Sequence, residues 1–325
     1  MDLPKVSIIT CVYNGEKYIE NLFKSVMEMD YPNIEHIVVN DGSIDNTEKI
    51  ISKYSKLYKN QINKKLYIKY IKQSNTGLGG ATNNGLKRVT GKYWTWINCD
   101  DWYEKGAFFE PIDLLEKITS LDYVQLNGWF IDEKNTKKII IDKDSKMAFK
   151  NKKKLICQYA ECTNFKWLLY LVRTSSYKNI NETMSIYPSK YTQDDQLICQ
   201  MFGLLNGNFC QKPSWFFLQR SNNYHSYINN ELEMEKQSLL IYEESIKYVN
   251  ARKKQKASII NVIKDGIILE ELKCCAIDKK KIEAFKKFIF ILIIRLHISL
   301  SYWLYLDHHI LLYLIYSFLP FKQKK

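Results

Sequence analysis

The chain is short of several things, and each shortage excludes a class of protein. It has 12 glycines in 325 residues, too few for a collagen-like repeat, and its 46% apolar content excludes global disorder. The eight cysteines (Cys11, Cys99, Cys157, Cys162, Cys199, Cys210, Cys274 and Cys275) form no Cys-x-x-Cys pair. That excludes a zinc site of Cys/His spacing, and a chain of this length needs no disulfide staples. Buried, reduced thiols are the expectation. No internal repeat is visible. No apolar run reaches the roughly 18 to 20 unbroken residues that a bilayer span needs. Arg295, His297, Asp307, His308 and His309 interrupt the longest candidates. Met1-Asp2-Leu3-Pro4-Lys5 leads straight into a strand-like segment, so no signal peptide is expected. A cytoplasmic chain follows, in which the Asn181-Glu182-Thr183 sequon goes unused.

Acid is the scarcer charge. Lys and Arg number 48 against 35 for Asp and Glu, a formal charge of +13. Much of the excess sits at one end, where nine basic residues between Lys279 and Lys325 face only Glu283 and Asp307. The same stretch holds the apolar runs Phe288–Ile294, Leu296–Leu306 and Ile310–Leu319. Basic and apolar together suit an anionic membrane surface better than nucleic acid. One expectation is therefore a helical extension over 226–325, peripheral on the inner face of the cell membrane. The other is a buried helical bundle or a surface for self-association into a homo-oligomer.

The first hundred residues alternate strand and helix signals. Val6–Thr10 is a β-branched run ending in the loop Cys11-Val12-Tyr13-Asn14-Gly15, and Glu16–Met29 has helical spacing through Tyr18, Ile19, Leu22, Phe23 and Val26. Ile34–Asn40 reads as a second strand, followed by the turn Asp41-Gly42-Ser43 and a helix that Asp45 can cap. Leu66–Lys72 is a third strand, Gly79–Val89 a helix, and Tyr93–Asn98 a fourth strand stopped by Cys99-Asp100-Asp101. This rhythm implies βαβ units and a largely parallel sheet, with ligands bound beyond the carboxyl ends of the strands. Afterwards the rhythm changes. Strands are expected at Tyr123–Ile131, Lys138–Ile141, Trp167–Arg173 and Asn208–Leu218, with a helix starting near Asp194.

Adjacent aspartates occur twice. Side-by-side carboxylates repel unless a cation or a proton resolves them. Asp100-Asp101 ends a strand at the ligand edge, where oxygen ligands suit Mg²⁺ or Mn²⁺. Alternatively, Asp101 caps a turn before Trp102. Asp194-Asp195 follows Thr192, and Thr192 with Asp195 has the spacing of a capping box. A carboxylate at a helix start also serves as a general base when it faces a pocket. Gly77-Leu78-Gly79-Gly80 before a helix would let the backbone approach a phosphate or sugar. It is neither a Walker loop nor a GxGxxG motif.

Taken in order, VSIITCVYNGEKYIENLFKSV, YPNIEHIVVNDGSIDNT and NTGLGGATNNGLKRVTGKYWTWINCDDW resemble the nucleotide-binding half of family 2 glycosyltransferases. The likeness runs from Val6 to Trp102 and more loosely to His225. It implies a GT-A fold: a Rossmann-like, mostly parallel sheet flanked by helices, with the C-terminal helical extension added. On this reading 1–225 is the catalytic domain, with 1–102 the nucleotide half and 103–225 the acceptor half. The resemblance implies inverting transfer from a nucleotide diphosphate sugar, in most members UDP-linked, with Mn²⁺ or Mg²⁺. The acceptor would be a saccharide or a lipid-linked hydroxyl in surface polysaccharide biosynthesis. Carried over by position, Thr10, Tyr13 and Asp41 hold the base, and Gly77 and Asn83 contact the donor. Asp100 and Asp101 hold ribose and the metal-bound diphosphate, His225 is a third metal ligand, and Asp195 deprotonates the acceptor.

Three departures stand out. Asn98 replaces the first Asp of the DXD-type motif, Thr82 replaces the Arg of the Ala-Arg-Asn-x-Gly stretch, and Asp194 replaces a Glu. The first two leave room for a catalytically lapsed scaffold or binding module. A sugar-nucleotide pyrophosphorylase would need a glycine- and lysine-rich phosphate loop near the N-terminus, which this chain does not have.

Overall fold

The structure, a computed structural model, describes residues 3–131, 137–139, 169–176 and 207–218 together with Glu271. Two compact units divide the chain, Met1–Asn223 and Tyr224–Lys325. Among the described residues no helix is long and apolar enough to cross a membrane.

In the first unit the strands are β1 (Val6–Val12), β2 (Asn33–Asp41), β3 (Lys65–Gln73), β4 (Tyr93–Trp96), β5 (Trp102–Tyr103), β6 (Tyr123–Ile131), β7 (Lys137–Ile139), β8 (Leu169–Arg173) and β9 (Gly207–Leu218). The helices are α1 (Ile19–Glu28), α2 (Thr47–Lys59), α3 (Gly77–Leu86) and α4 (Phe109–Lys117). One sheet runs β3-β2-β1-β4-β8-β6-β9-β5, with β7 on β6. The β3-β2-β1-β4 pairings are parallel. Beyond them β8 is antiparallel to both β4 and β6, so the second half of the sheet is mixed. β1 runs two residues past the expected Thr10, because Cys11 and Val12 still pair with Val39 and Asn40.

Helix α1 forms because Ile19, Leu22, Phe23 and Val26 fall at i, i+3, i+4 and i+7, one apolar stripe. All four are fully buried, and each burial is worth roughly 1.5–3 kcal/mol relative to exposure. They join one core cluster with Ile8, Val12, Ile34 and Val38, together with Ile51, Tyr54 and Tyr58 of α2. Helix α3 takes the other face, against the alternate strand positions. A Cβ on its Gly85 would stand 2.7 Å from Ile9 Cγ2 and 3.4 Å from Val39 Cγ2, so the missing side chain is what lets the helix lie close on the sheet. The chain moves outward from β1 to β3 and then returns past β1 to β4. That reversal places a topological switch point between β1 and β4, with a crevice at their carboxyl ends.

Two buried polar centres fix β2. Glu35, near its start, accepts bonds from Ser7 Oγ, Tyr67 Oη (2.9 Å), Thr90 N (2.7 Å), Thr90 Oγ1 (2.8 Å) and Gly91 N (3.2 Å). Burial pushes its carboxyl upward, but the bonds from Ser7, Thr90 and Tyr67 outweigh this and hold it below the ordinary value. His36, one residue on, faces the opposite side. Its Nε2 lies 3.0 Å from Thr10 Oγ1 and its Nδ1 3.3 Å from Tyr58 Oη, and Tyr58 donates to Phe23 O at 3.1 Å.

Complete burial pushes the imidazole of His36 down to about 3. The unfolded chain binds this proton below about pH 6.5, whereas the folded chain refuses it until far lower. The contribution of His36 to stability is therefore full above about pH 6.5 and is lost as pH falls toward 3. Urea unfolding is expected to find the chain about 2 kcal/mol less stable at pH 5 than at pH 7 on account of this group. His36→Gln keeps two hydrogen-bonding ends without a titrating ring, and should flatten that difference by the same amount. An unchanged pH dependence in the variant would refute the assignment.

Candidate active site

The candidate site lies at the carboxyl edge of β1, β2 and β4, and it is assembled by loops that hold one another. After β1, Asn14 adopts φ 51°, a left-handed conformation that Asn tolerates better than most residues. Asn14 N donates to Ser43 Oγ at 3.0 Å, and Ile44 N returns a bond to Asn14 Oδ1 at 2.9 Å. Gly15 N donates to Thr47 Oγ1 (2.9 Å), Glu16 N to Asp45 Oδ2 (3.1 Å) and Asn46 N to Glu16 Oε2 (2.9 Å). The β1–α1 and β2–α2 loops are thus clasped from both sides. Tyr13 stands at the head of this clasp with 52% of its surface exposed, an aromatic face open to a ligand.

Asp41 ends β2 and is only 3% exposed. Its Oδ1 accepts from Thr76 N (2.8 Å), Gln73 Nε2 (2.8 Å) and Thr76 Oγ1 (3.3 Å), and its Oδ2 accepts from Gly77 N (2.9 Å). The carboxylate therefore satisfies the first amides of α3, which the helix itself leaves unpaired. Gly77 has φ 79°, a left-handed conformation in which glycine has no Cβ to strain. Its amide is committed to Asp41, so the expected open approach of Gly77 to a phosphate is reduced to its Cα. Asn83 is half-buried on the second turn of α3.

Thr10 needs correcting. It was expected to hold the base, but it is fully buried and its hydroxyl meets His36 on the α1/α2 face. Strand alternation puts its neighbour Cys11 on the α3 face, where the half-buried Sγ lies 3.5 Å from Thr82 Oγ1. Cys11 is thus the β1 side chain that faces the site. The period-two signal was already present in the sequence, since Ile9, Cys11 and Tyr13 share parity. Thr82 is 5% exposed and donates back to Leu78 O at 2.8 Å, so it offers no charge where the family pattern has Arg.

Asp100 and Asp101 sit in the turn after β4, closed by Asp101 N to Asn98 O at 3.2 Å. Asp100 is half-buried, whereas Asp101 is 1% exposed and accepts from Asn98 Nδ2 at 3.2 Å. An amide at position 98 donates to this buried carboxylate where an Asp would repel it. Burial pushes the neighbouring Tyr103 phenol above its usual range, and the charge of Asp101 adds to the shift. Among the described residues no three His, Cys, Asp or Glu gather into a metal cluster. Two adjacent carboxylates still fit a hard cation that takes its remaining ligands from phosphate and water, as Mg²⁺ and Mn²⁺ do. The structure therefore brings Tyr13, Asp41, Gly77 and Asp100 to one edge of the sheet. Asp194, Asp195, His225 and the segment Lys279–Lys325 lie outside the described residues.

The fold is an α/β domain of the GT-A kind. The sequence profile of glycosyl transferase family 2 matches residues 7–170, half of the chain, and the chain belongs to that family. An uncharacterized glycosyltransferase of Rickettsia prowazekii is 38% identical over 133 residues, covering 41% of this chain and 39% of that protein. The glycosyltransferase GlyA of Streptococcus pneumoniae is 39% identical over 101 residues, covering 31% of this chain and 14% of that one. The chain thus spans less than half the length of either relative. In structure it is similar to residues 1–349 of TarS from S. aureus, with TM-score 0.64, 20% identity and coverage of 97% of this chain and 89% of that one. The mannosyltransferase PcManGT of Pyrobaculum calidifontis, solved with GDP-Man and Mn²⁺, gives TM-score 0.53 at 14% identity, over 97% of this chain and 86% of that one.

Proposed function

We propose that the chain is an inverting, metal-dependent glycosyltransferase. It moves a hexose or N-acetylhexosamine from a UDP-sugar to a hydroxyl of a saccharide or lipid-linked acceptor in surface polysaccharide assembly. The observation that carries this reading is the convergence of Tyr13, Asp41 and Asp100 at the carboxyl edge beside the switch point. Support comes also from TarS, solved with UDP-GlcNAc, and from a candidate teichuronic acid biosynthesis glycosyltransferase of Bacillus subtilis that is 32% identical over 112 residues.

In this reading Tyr13 stacks on the base, Asp41 accepts from it, and Gly77 and Asn83 border the donor. Asp100 and Asp101, with His225, would hold a Mn²⁺ or Mg²⁺ ion, which supplies positive charge beside the departing diphosphate. Asp195 takes the proton of the acceptor hydroxyl as that oxygen attacks the anomeric carbon. One displacement inverts the centre, so an α-linked donor gives a β-linked product. The basic, apolar segment from Lys279 to Lys325 would dock on an anionic membrane surface at its inner face and raise the effective concentration of a lipid-linked acceptor.

A lapsed, non-catalytic scaffold is the second reading. It is favoured by Thr82, whose hydroxyl is spent on Leu78 O. A thermal-shift screen of nucleotide sugars with and without Mn²⁺ tests the donor site that the first reading requires. At a hundredfold excess over Kd, a UDP-sugar with Mn²⁺ is expected to raise Tm by roughly 5 °C. If no nucleotide sugar moves Tm under either condition, the enzyme reading falls.

A further inference from the structure

Asp41 is the end point of a hydrogen-bond relay that begins on the protein surface. Arg88 Nη1 donates to Asn84 Oδ1 at 2.7 Å, Asn84 Nδ2 donates to Gln73 Oε1 at 2.6 Å, and Gln73 Nε2 donates to Asp41 Oδ1 at 2.8 Å. The two ends fix the direction of the whole chain. A guanidinium only donates and a carboxylate only accepts, so both amides between them have one allowed orientation. Gln73 Nε2 also donates to Thr76 Oγ1 at 2.6 Å, which ties the relay to the start of α3. With Gln73, Thr76 N and Thr76 Oγ1, the Oδ1 oxygen takes three donors, while among the described residues Oδ2 takes one, from Gly77 N. A carboxylate oxygen has about two lone pairs, so Oδ1 is filled and Oδ2 keeps a position for a ligand.

We propose that Gln73, oriented by Asn84 and Arg88, is a positioning residue. Together with the two Thr76 donors it holds Oδ1 and fixes the rotation of the carboxylate, so that Oδ2 serves as a reader of N–H donors on the base. Such an acceptor takes the imide N–H of uracil and repels cytosine, whose ring nitrogen at the same position is itself an acceptor. A site built to accept a hydrogen bond discriminates strongly against a partner that cannot donate one. This inference rests on the proposed placement of the base at Asp41.

The experiment is calorimetric titration of the full chain with UDP and with CDP at fixed Mn²⁺. The wild type is expected to prefer UDP at least tenfold. Asn84→Asp keeps an acceptor for Arg88 but cannot donate to Gln73, and Gln73→Leu removes the relay outright. Each should weaken UDP binding about fivefold and bring the UDP/CDP ratio to within about threefold, with the loss appearing in the donor KM rather than in kcat. Arg88→Ala should lower the ratio and Arg88→Lys should restore it. A general loosening of the fold would weaken both nucleotides alike, and would not move the ratio. If Gln73→Leu does not fold, Asn84→Asp on the half-buried helix face carries the test. Variants that keep the wild-type ratio overturn the relay. A wild type that binds UDP and CDP equally overturns the placement of the base at Asp41, and one that binds neither overturns the proposed function.

Discussion

Asp195→Asn is expected to lower sugar transfer by about 10³-fold while UDP-sugar binding stays within about twofold of the wild type. The amide is nearly isosteric with the carboxylate but cannot take a proton from an acceptor hydroxyl, and no other step of the proposed reaction uses this group. The competing role is helix capping, because Thr192 and Asp195 have capping-box spacing. The two roles differ in what is lost. A capping box contributes about 1 kcal/mol to stability and nothing to turnover. Retention of wild-type turnover by Asp195→Asn, measured with a radiolabelled donor, would assign the residue to the helix and remove the general base.

Asp100→Ala carries the second large effect. Asp100 is the half-buried carboxylate of the β4 turn and Asp101 the buried one. On the proposed placement of the cation, truncating Asp100 removes one of its oxygen ligands. Transfer is expected to fall about 10²- to 10³-fold, and Mn²⁺ should no longer tighten UDP binding. Asp101→Ala should lower Tm, because it leaves Asn98 Nδ2 without its buried acceptor. Persistent Mn²⁺-stimulated transfer in Asp100→Ala would show that the cation sits elsewhere.

Residues 6–102 are the most legible part of the sequence. β-Branched runs separated by helical stripes predict β1 to β4, and the run Tyr123–Ile131 matches β6 at both ends. Helix α4 was missed because Pro111 in its first turn and two flanking phenylalanines mask its short stripe of Ile112 and Leu115. Strand β5, two residues long, exists only because Trp102 and Tyr103 pair with Phe216 and Trp215 more than a hundred positions away. No local pattern encodes such a pairing. The antiparallel β8 is legible as a strand but not in its direction, which is set by the order of strands in the sheet.

At the site, motif order nominates Tyr13, Asp41 and Asp100, and the structure places all three at the carboxyl edge of the sheet. Motif order misassigned Thr10, because side-chain direction follows from strand parity rather than from motif membership. Gly77-Leu78-Gly79-Gly80 reads as ligand-facing, yet the amide of Gly77 serves the bond to Asp41. Gln73, Asn84 and Arg88 had no signal in the sequence, since amides and an exposed arginine resemble any solvated surface until the fold brings them into one line.

The clasp between Asn14 and the Ser43–Thr47 segment bears on how this domain can diverge. Each loop supplies the other's missing partners, so inserting or deleting a single residue in one would break the register of both. Surface connections ordinarily tolerate changes of length. Here the two spacers have become a single unit of fixed size. Changes of length at this edge therefore fall to its other connections, while these two loops change by substitution.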